Sequence, residues 1–192
     1  MPPLPHRIVT LTCCLLVAAS IGVSAARSAS GDPVVQVETD DKANAAHVRA
    51  SIDITAAPLV VWKVLTDCAR MPQIFPNLES CRIVEKDPAG QWDVRENVID
   101  WAVLMPKLRT VVRNTFEVGR RLTFKRVSGN MRVSDGEWTL ERHAHGTRLS
   151  YNALVAPDFP VPQFLIEQAV HNDMPNLLRA IQKASVADAG RK

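Results

Sequence analysis

The residues that could do chemistry are polar side chains spread over several predicted strands. Glu96, Asp100 and Tyr151 carry groups that can give or take a proton, and acid/base catalysis needs such a group within hydrogen-bond reach of a substrate. Arg126 is the cation that we expect opposite Glu96 or Asp100. One phenol and two acids are a weak constellation for an enzyme. Catalysis by Asp100, Glu96 and Tyr151 is therefore our alternative rather than our first hypothesis.

The motifs of four large enzyme classes are missing from the sequence. It contains no G-x-S-x-G, no P-loop, no G-x-G-x-x-G and no H-E-x-x-H. His143 and His145 form an H-x-H pair, but no third ligand lies nearby in the sequence, so a solvated turn is the better interpretation. We expect no metal and no cofactor.

The length and charge of the chain fit one compact domain with a short appendage. The chain has 192 residues, of which 46% are hydrophobic and 22% are charged, close to the average of globular proteins. Lys and Arg number 23 against 20 Asp and Glu, and this small excess is spread along the chain. We therefore expect no nucleic acid as a partner.

Residues 1–25 have the pattern of a secretory signal peptide. His6 and Arg7 precede an uncharged run over 8–23, and small residues follow up to Ala26. The run is shorter than the roughly 20 residues of a membrane span. We expect a periplasmic or secreted protein, with anchoring by an uncleaved N-terminal helix as the alternative.

Two cysteines follow this segment, Cys68 and Cys81. An exported protein meets an oxidising compartment in which two thiols can pair. We expect a disulfide between them, and the open alternative is that both are small buried hydrophobic residues.

Short elements precede the main sheet. Residues 26–45 predict a linker or an edge strand. Residues 47–54 alternate between apolar and polar side chains, which is typical of a half-buried strand. Pro58 then begins a helix, which cannot continue regularly through the two prolines within 71–77.

The rest of the chain predicts a sheet and one long helix. Residues 78–156 keep a period of two, and their turns are too short to contain helices, so six strands should pair antiparallel. Residues 162–187 have an apolar stripe of helical spacing, and Pro175 should kink this helix. The fold class is α+β, with a curved antiparallel sheet of six to seven strands wrapped around the C-terminal helix.

The charge-rich side of each strand identifies the outer face and leaves a polar minority on the inner one. Charged groups inside a small domain cost several kcal/mol each unless they are paired or hydrated. We therefore expect a water-containing cavity, unless a one-residue bulge reverses the strand parity. The expected inner polar residues are Glu96, Asp100, Thr110, Asn114, Arg126, Ser134, Tyr151 and Asp173.

The same parity and the helix stripe predict the residues around the cavity, with ordinary packing as the alternative for each. The expected ligand-binding residues are Phe124, Arg126, Trp138, Tyr151, Phe164, Met174 and Leu178. The expected cavity mouth is formed by Ile74, Phe75, Met105, Phe159 and Val161.

Several segments resemble a known family. Residues 52–54, 57–58 and 61–67 are similar to the opening of the polyketide cyclase/dehydrase and coenzyme-Q-binding group of START-like (SRPBCC) proteins, and residues 135–140 and 157–162 resemble the same group. The resemblance implies the helix-grip fold, in which the sheet wraps the closing helix around a deep apolar cavity. It supplies no catalytic residues, because the group includes cyclases and lipid carriers alike.

These observations give one first hypothesis and one principal alternative. Residues 46–187 would be a START-like ligand-binding domain, followed by a tail at 188–192. We expect an exported carrier that encloses a lipid, isoprenoid or other hydrophobic small molecule and makes transient membrane contact. The alternative is a cyclase or dehydratase acting on a polyketide-like or aromatic substrate, and an interaction module with an empty core is a third.

Overall fold

The computed structural model describes residues 31–40, 42–75, 77–100 and 106–191. The predicted signal peptide at 1–25 and the predicted mouth residue Met105 lie outside the described residues.

An eight-stranded antiparallel sheet forms most of the molecule, in the order β1-β2-β8-β7-β6-β5-β4-β3. Two short helices follow β2, and one long helix ends the chain. The elements are β1 (Val34–Asp40), β2 (Ala45–Ile54), α1 (Pro58–Thr66), α2 (Met71–Ile74), β3 (Leu78–Lys86), β4 (Trp92–Ile99), β5 (Leu108–Glu117), β6 (Arg121–Gly129), β7 (Met131–His143), β8 (Gly146–Pro157) and α3 (Gln163–Ala189).

The predicted fold class is confirmed, and the strand count differs slightly from the prediction. The additional strand is β1, which pairs with β2 along its whole length at one edge of the sheet. The prediction left this segment open as a linker or an edge strand. Its alternating valines at 35 and 37 pack against the two hydrophobic clusters of the molecule, which explains why it joins the sheet.

Helix α3 packs over one half of the sheet. Its backbone lies close to β1, β2 and α1, and it has no comparable approach to β4, β5 or β6. The main core fills this covered half, where Ile54, Leu149, Leu178 and Ile181 are almost fully buried. Pro175 lies inside α3, which continues beyond it. The uneven packing leaves space between α3 and the strands that it does not cover.

Among the residues that the structure describes, no helix combines the length and the apolar character needed to cross a membrane.

Candidate functional site

A cavity of about 290 Å³ lies between the concave face of the sheet and α3. Phe124 and Trp138 line it from the sheet, and Val170, Met174 and Leu177 line it from one face of α3. The wall is therefore mainly apolar, as in most small-molecule sites, and its volume lies near the lower end of their usual range.

Three aromatic rings are in contact on the sheet side of the cavity. The Tyr151 ring lies 4.6 Å from Trp138 and 5.9 Å from Phe124, measured between ring centroids, and it is nearly parallel to Phe124. Burial raises the pKa of the Tyr151 phenol well above its usual value, because the low-dielectric surroundings disfavour the charged form. Tyr151 is thus a neutral phenol at neutral pH.

A charged pair reaches the cavity from β4. Arg95 Nε donates to Asp93 Oδ2 at 2.8 Å and to Oδ1 at 3.0 Å, and Arg95 Nη2 lies 2.7 Å from Oδ2. Asn114 of β5 donates from Nδ2 to Asp93 Oδ1 at 2.7 Å. Asp93 is 4% exposed and Arg95 is 7% exposed. Burial of both charges is tolerated because each is paired and hydrogen-bonded to the other.

Asp173 is the acidic side chain on the α3 side of the cavity. Burial raises the pKa of its carboxyl group, and a hydrogen bond with Asn77 partly opposes this shift. Asn77 adjoins the end of β4, because its carbonyl accepts a hydrogen bond from Asp100 N at 2.8 Å. Asp173 therefore lines the cavity near the Ile99 end of β4.

The connection between α1 and β3 is tied down next to the cavity. Cys68 and Cys81 form a disulfide with 5.3 Å between their Cα atoms, and Cys81 also lines the cavity. Arg70 Nη1 donates to Asp188 Oδ2 at 2.6 Å, which joins the same connection to the end of α3. The structure thus shows the bonded form of the two alternatives that the sequence left open.

A family model described as "Polyketide cyclase / dehydrase and lipid transport" matches residues 54–182. The chain belongs to this polyketide cyclase/dehydrase and lipid transport family. The matched region begins at the last residue of β2 and ends within α3, so it contains almost all of the cavity wall. Among curated protein sequences, none matches the chain.

Solved structures share the fold of this family member at low sequence identity. The STAR-related lipid transfer protein from Xanthomonas axonopodis is 19% identical, with a TM-score of 0.67 over 81% of this chain and 94% of that chain. The Zhui aromatase/cyclase from Streptomyces sp. R1128 is 18% identical, with a TM-score of 0.63 over 74% of this chain and 94% of that chain. The human StarD13 lipid transfer domain is 17% identical, with a TM-score of 0.63 over 80% and 84% of the two chains.

The fold, the family and the cavity together support a hydrophobic ligand-binding domain. Within it, four of the predicted ligand-binding residues line the cavity: Phe124, Trp138, Tyr151 and Met174. Phe75, predicted at the mouth, also lines it, as do the predicted inner residues Thr110, Asn114, Ser134 and Asp173. Their contacts with a ligand stay predictions.

Other predicted cavity residues lie elsewhere. Phe164 is 65% exposed at the start of α3, and Leu178 is completely buried in the main core. Ile74 packs against that core. Phe159 and Val161 belong to a second, smaller cluster with Ala46, Val48 and Ile166. An apolar stripe locates the buried side of a helix, but it does not separate cavity wall from solid core.

The inward direction predicted for Glu96 is wrong. Glu96 accepts a hydrogen bond from Arg82 Nη2 at 2.9 Å and pairs with Arg109 on the outer face. These guanidinium groups lower the pKa of the Glu96 carboxyl. The structure instead turns Arg95 and Asn97 toward the cavity.

The reason for this error lies in the composition of β4. Trp92, Val94 and Val98 alternate with polar residues, and the apolar set was assigned to the inside. In the structure Arg113 lies over the Trp92 ring at 3.8 Å from its centroid, and Val94 is buried on the same outer face. Both faces of β4 carry charges, so the sequence held no signal that would assign Asp93, Arg95 and Asn97 to the inner face.

Asp100 and Arg126 do not form the predicted interior pair. Asp100 lies just beyond β4 with a side chain that is 53% exposed, 3.8 Å from Lys107. The Arg126 guanidinium donates to the carbonyls of Met131 and Gly129. The register with β5 shifts directly after Arg126, where Val127 is an extra residue of β6, and strand parity could not foresee this bulge.

Among the described residues, no group of three or more His, Cys, Asp or Glu side chains could hold a metal ion. His143 lies 3.5 Å from Asp53, and Arg148 binds the same carboxylate from 2.8 Å. This cluster is partly exposed on the outer face of the sheet, where it forms ordinary surface ion pairs.

Proposed function

We propose that the protein is an exported carrier that encloses a lipid, isoprenoid or other hydrophobic small molecule between its sheet and α3. The proposal rests on the cavity of about 290 Å³ with its largely apolar wall. Apolar ligand surface buried there would contribute about 25 cal/mol per Å² to binding. The few polar lining groups would orient the ligand rather than supply most of the affinity.

Two observations support the export part of the proposal. Residues 1–25 have the charge and hydropathy pattern of a signal peptide. The Cys68–Cys81 disulfide is of the kind that persists in oxidising compartments such as the periplasm. Because a hydrophobic passenger is poorly soluble in water, loading and release would involve transient contact with a membrane.

A cyclase or dehydratase role is the second candidate, and the neutral phenol of Tyr151 in the cavity favours it. A neutral phenol can donate a proton or hold a carbonyl oxygen. The other two candidate residues, Glu96 and Asp100, form ion pairs outside the cavity wall. The geometry therefore supports the carrier better, because it leaves Tyr151 without either of the acids proposed as its partners.

Native mass spectrometry of the protein purified from its own host tests the carrier, followed by organic extraction and identification of the extract. We expect one apolar molecule per protein chain. Repeated isolation without any such molecule, under conditions that preserve weak complexes, would contradict the carrier. A chemically altered product after incubation of the extract with fresh protein would instead indicate the enzyme.

A further inference from the structure

The charged groups that line the cavity determine which ligand heads it can accept. Among the described lining residues only Arg95 and Asp173 carry ionisable groups of opposite sign that are charged in water at neutral pH. A ligand with a charged head must find an unpaired opposite charge in the cavity, because burial of an unpaired ion costs several kcal/mol.

Arg95 does not offer an unpaired positive charge. Its Nε and Nη2 atoms both bind the carboxylate of Asp93, at 2.7 to 3.0 Å. Asn114 holds that carboxylate from the other side, so the pair is fixed in place. The net charge of the pair is zero, and an incoming carboxylate would have to compete with a buried, hydrogen-bonded one.

Asp173 offers no positive charge either, and no Lys, Arg or His among the described residues pairs with it. Its hydrogen-bond partner is the neutral side chain of Asn77. Asp173 is itself acidic, so a second carboxylate on its side of the cavity would meet repulsion whenever Asp173 is ionised. A hydroxyl or carbonyl head can exchange hydrogen bonds with Asp173 in either of its protonation states.

We propose that the ligand of this cavity has a polar head without negative charge, a hydroxyl or carbonyl, that hydrogen-bonds to Asp173. The inference rests on the proposed carrier function and narrows its ligand class. Fatty acids and other anionic amphiphiles are disfavoured, because Asp93 neutralises Arg95 and the other ionisable group of the described wall, Asp173, is an acid.

The test compares three probes with the same tail and different heads: 1-dodecanol, dodecanoate and dodecylamine at pH 7.5. Isothermal titration calorimetry of the full mature chain should give a Kd for 1-dodecanol at least tenfold lower than for dodecanoate, and no higher than for dodecylamine. Equal or tighter binding of dodecanoate would overturn the head without negative charge and leave the carrier standing. Tighter binding of dodecylamine than of 1-dodecanol would overturn the hydroxyl or carbonyl head and also leave the carrier standing. Binding of none of the three would overturn the carrier and this inference with it.

Two variants test the role assigned to each charged group. Asp93→Asn keeps the shape of the side chain but frees the charge of Arg95, so dodecanoate should bind at least tenfold more tightly while 1-dodecanol changes less than threefold. Asp173→Leu removes the hydrogen-bonding group, so 1-dodecanol should bind at least fivefold more weakly. Failure of the second effect in a cooperatively folded variant would overturn the role of Asp173, whether or not Asp93→Asn folds.

Asp100→Asn is the matched control for both variants. Asp100 is another carboxylate of the β4 region, but it is half exposed and does not line the cavity. Its substitution should leave the Kd of all three probes within twofold of the parent. A tenfold gain in dodecanoate affinity in this control would show that net charge, rather than the state of Arg95, decides the preference, and would overturn the proposal.

Discussion

At the residue scale, the interior of this protein combines an apolar wall with a small number of fixed polar groups. The Asp93–Arg95 pair is enclosed by Asn114 and by the ring of Phe116, whose centroid lies 5.7 Å from the guanidinium carbon. A buried ion pair usually adds little to stability compared with apolar residues of the same size. Its position on the cavity wall gives it a different use, since it provides polarity there without net charge.

Tyr151 allows a direct test of how dry the aromatic side of the cavity is. It is the one tyrosine of the chain, so absorbance of tyrosinate at 295 nm reports this side chain alone. Because burial raises its pKa, we expect no tyrosinate signal from the folded protein as the pH rises through 10. The same titration in guanidinium chloride should give a pKa of about 10.

The sign of the linked stability effect follows from that shift. A group whose pKa is raised by folding stabilises the native state fully at any pH below its pKa in the unfolded chain. This stabilisation is lost as the pH rises from the unfolded pKa through the folded one. The free energy of unfolding should therefore fall above pH 10 in the parent and fall less in Tyr151→Phe. Titration of the folded protein with an ordinary phenol pKa would contradict the buried position of Tyr151.

The sequence predicted individual cavity residues where only one face of a strand is charged. Phe124, Trp138 and Tyr151 were assigned correctly to the inner face because Lys125, Glu137 and their neighbours mark the outer one. Arg95 was missed because β4 is polar on both faces. Arg126 was misplaced because a bulge, which has no reliable sequence signal, adds Val127 next to it in β6.

At the element scale, the connection from α1 to β3 is held by contacts at both of its ends. Cys68 is bonded to Cys81, Arg70 to Asp188, and Asn77 to Asp173. Helix α2 within it has only four residues and no buried side chain, so it has little packing of its own. These bonds therefore keep Met71 and Phe75 at the cavity wall.

Removal of the disulfide should lower the stability of the whole domain. The two cysteines are 13 residues apart, and a closed loop of this size stabilises a fold by about 3 kcal/mol in the chain-entropy model. We expect the Cys68→Ser/Cys81→Ser variant to lose about 2–3 kcal/mol in urea unfolding. Dithiothreitol should destabilise the parent by a similar amount and leave the double variant unchanged.

An equal response of parent and double variant to dithiothreitol would contradict the contribution of this bond. The sequence identified both partners of this bond, because the predicted signal peptide leaves only Cys68 and Cys81 after it. The sequence could not show that α2 forms, because the prolines at 72 and 76 predicted only that α1 would not continue regularly.

At the scale of the whole molecule, the architecture was predictable because two periods dominate residues 78–187. The period of two over 78–156 and the helical stripe that follows it define a sheet and a closing helix. The stripe could not tell that α3 packs on β1, β2 and α1 and makes no comparable approach to β4, β5 or β6. That asymmetry is a property of packing between distant segments, and it creates the cavity.

If the cavity between the sheet and α3 receives a hydrophobic molecule, a larger side chain in its wall should block binding. Ala169 lines the cavity from α3, so Ala169→Trp should occupy ligand space. Ala187 is exposed on the same helix, which makes Ala187→Trp the matched control for folding and composition.

Calorimetric titration of the correctly folded variants with 1-dodecanol shows whether the ligand binds inside the cavity or elsewhere on the protein. One molecule should bind per chain to the parent and to Ala187→Trp, and Ala169→Trp should bind at least tenfold more weakly. Equal binding by all three proteins would place the ligand outside the cavity and contradict its enclosure between the sheet and α3.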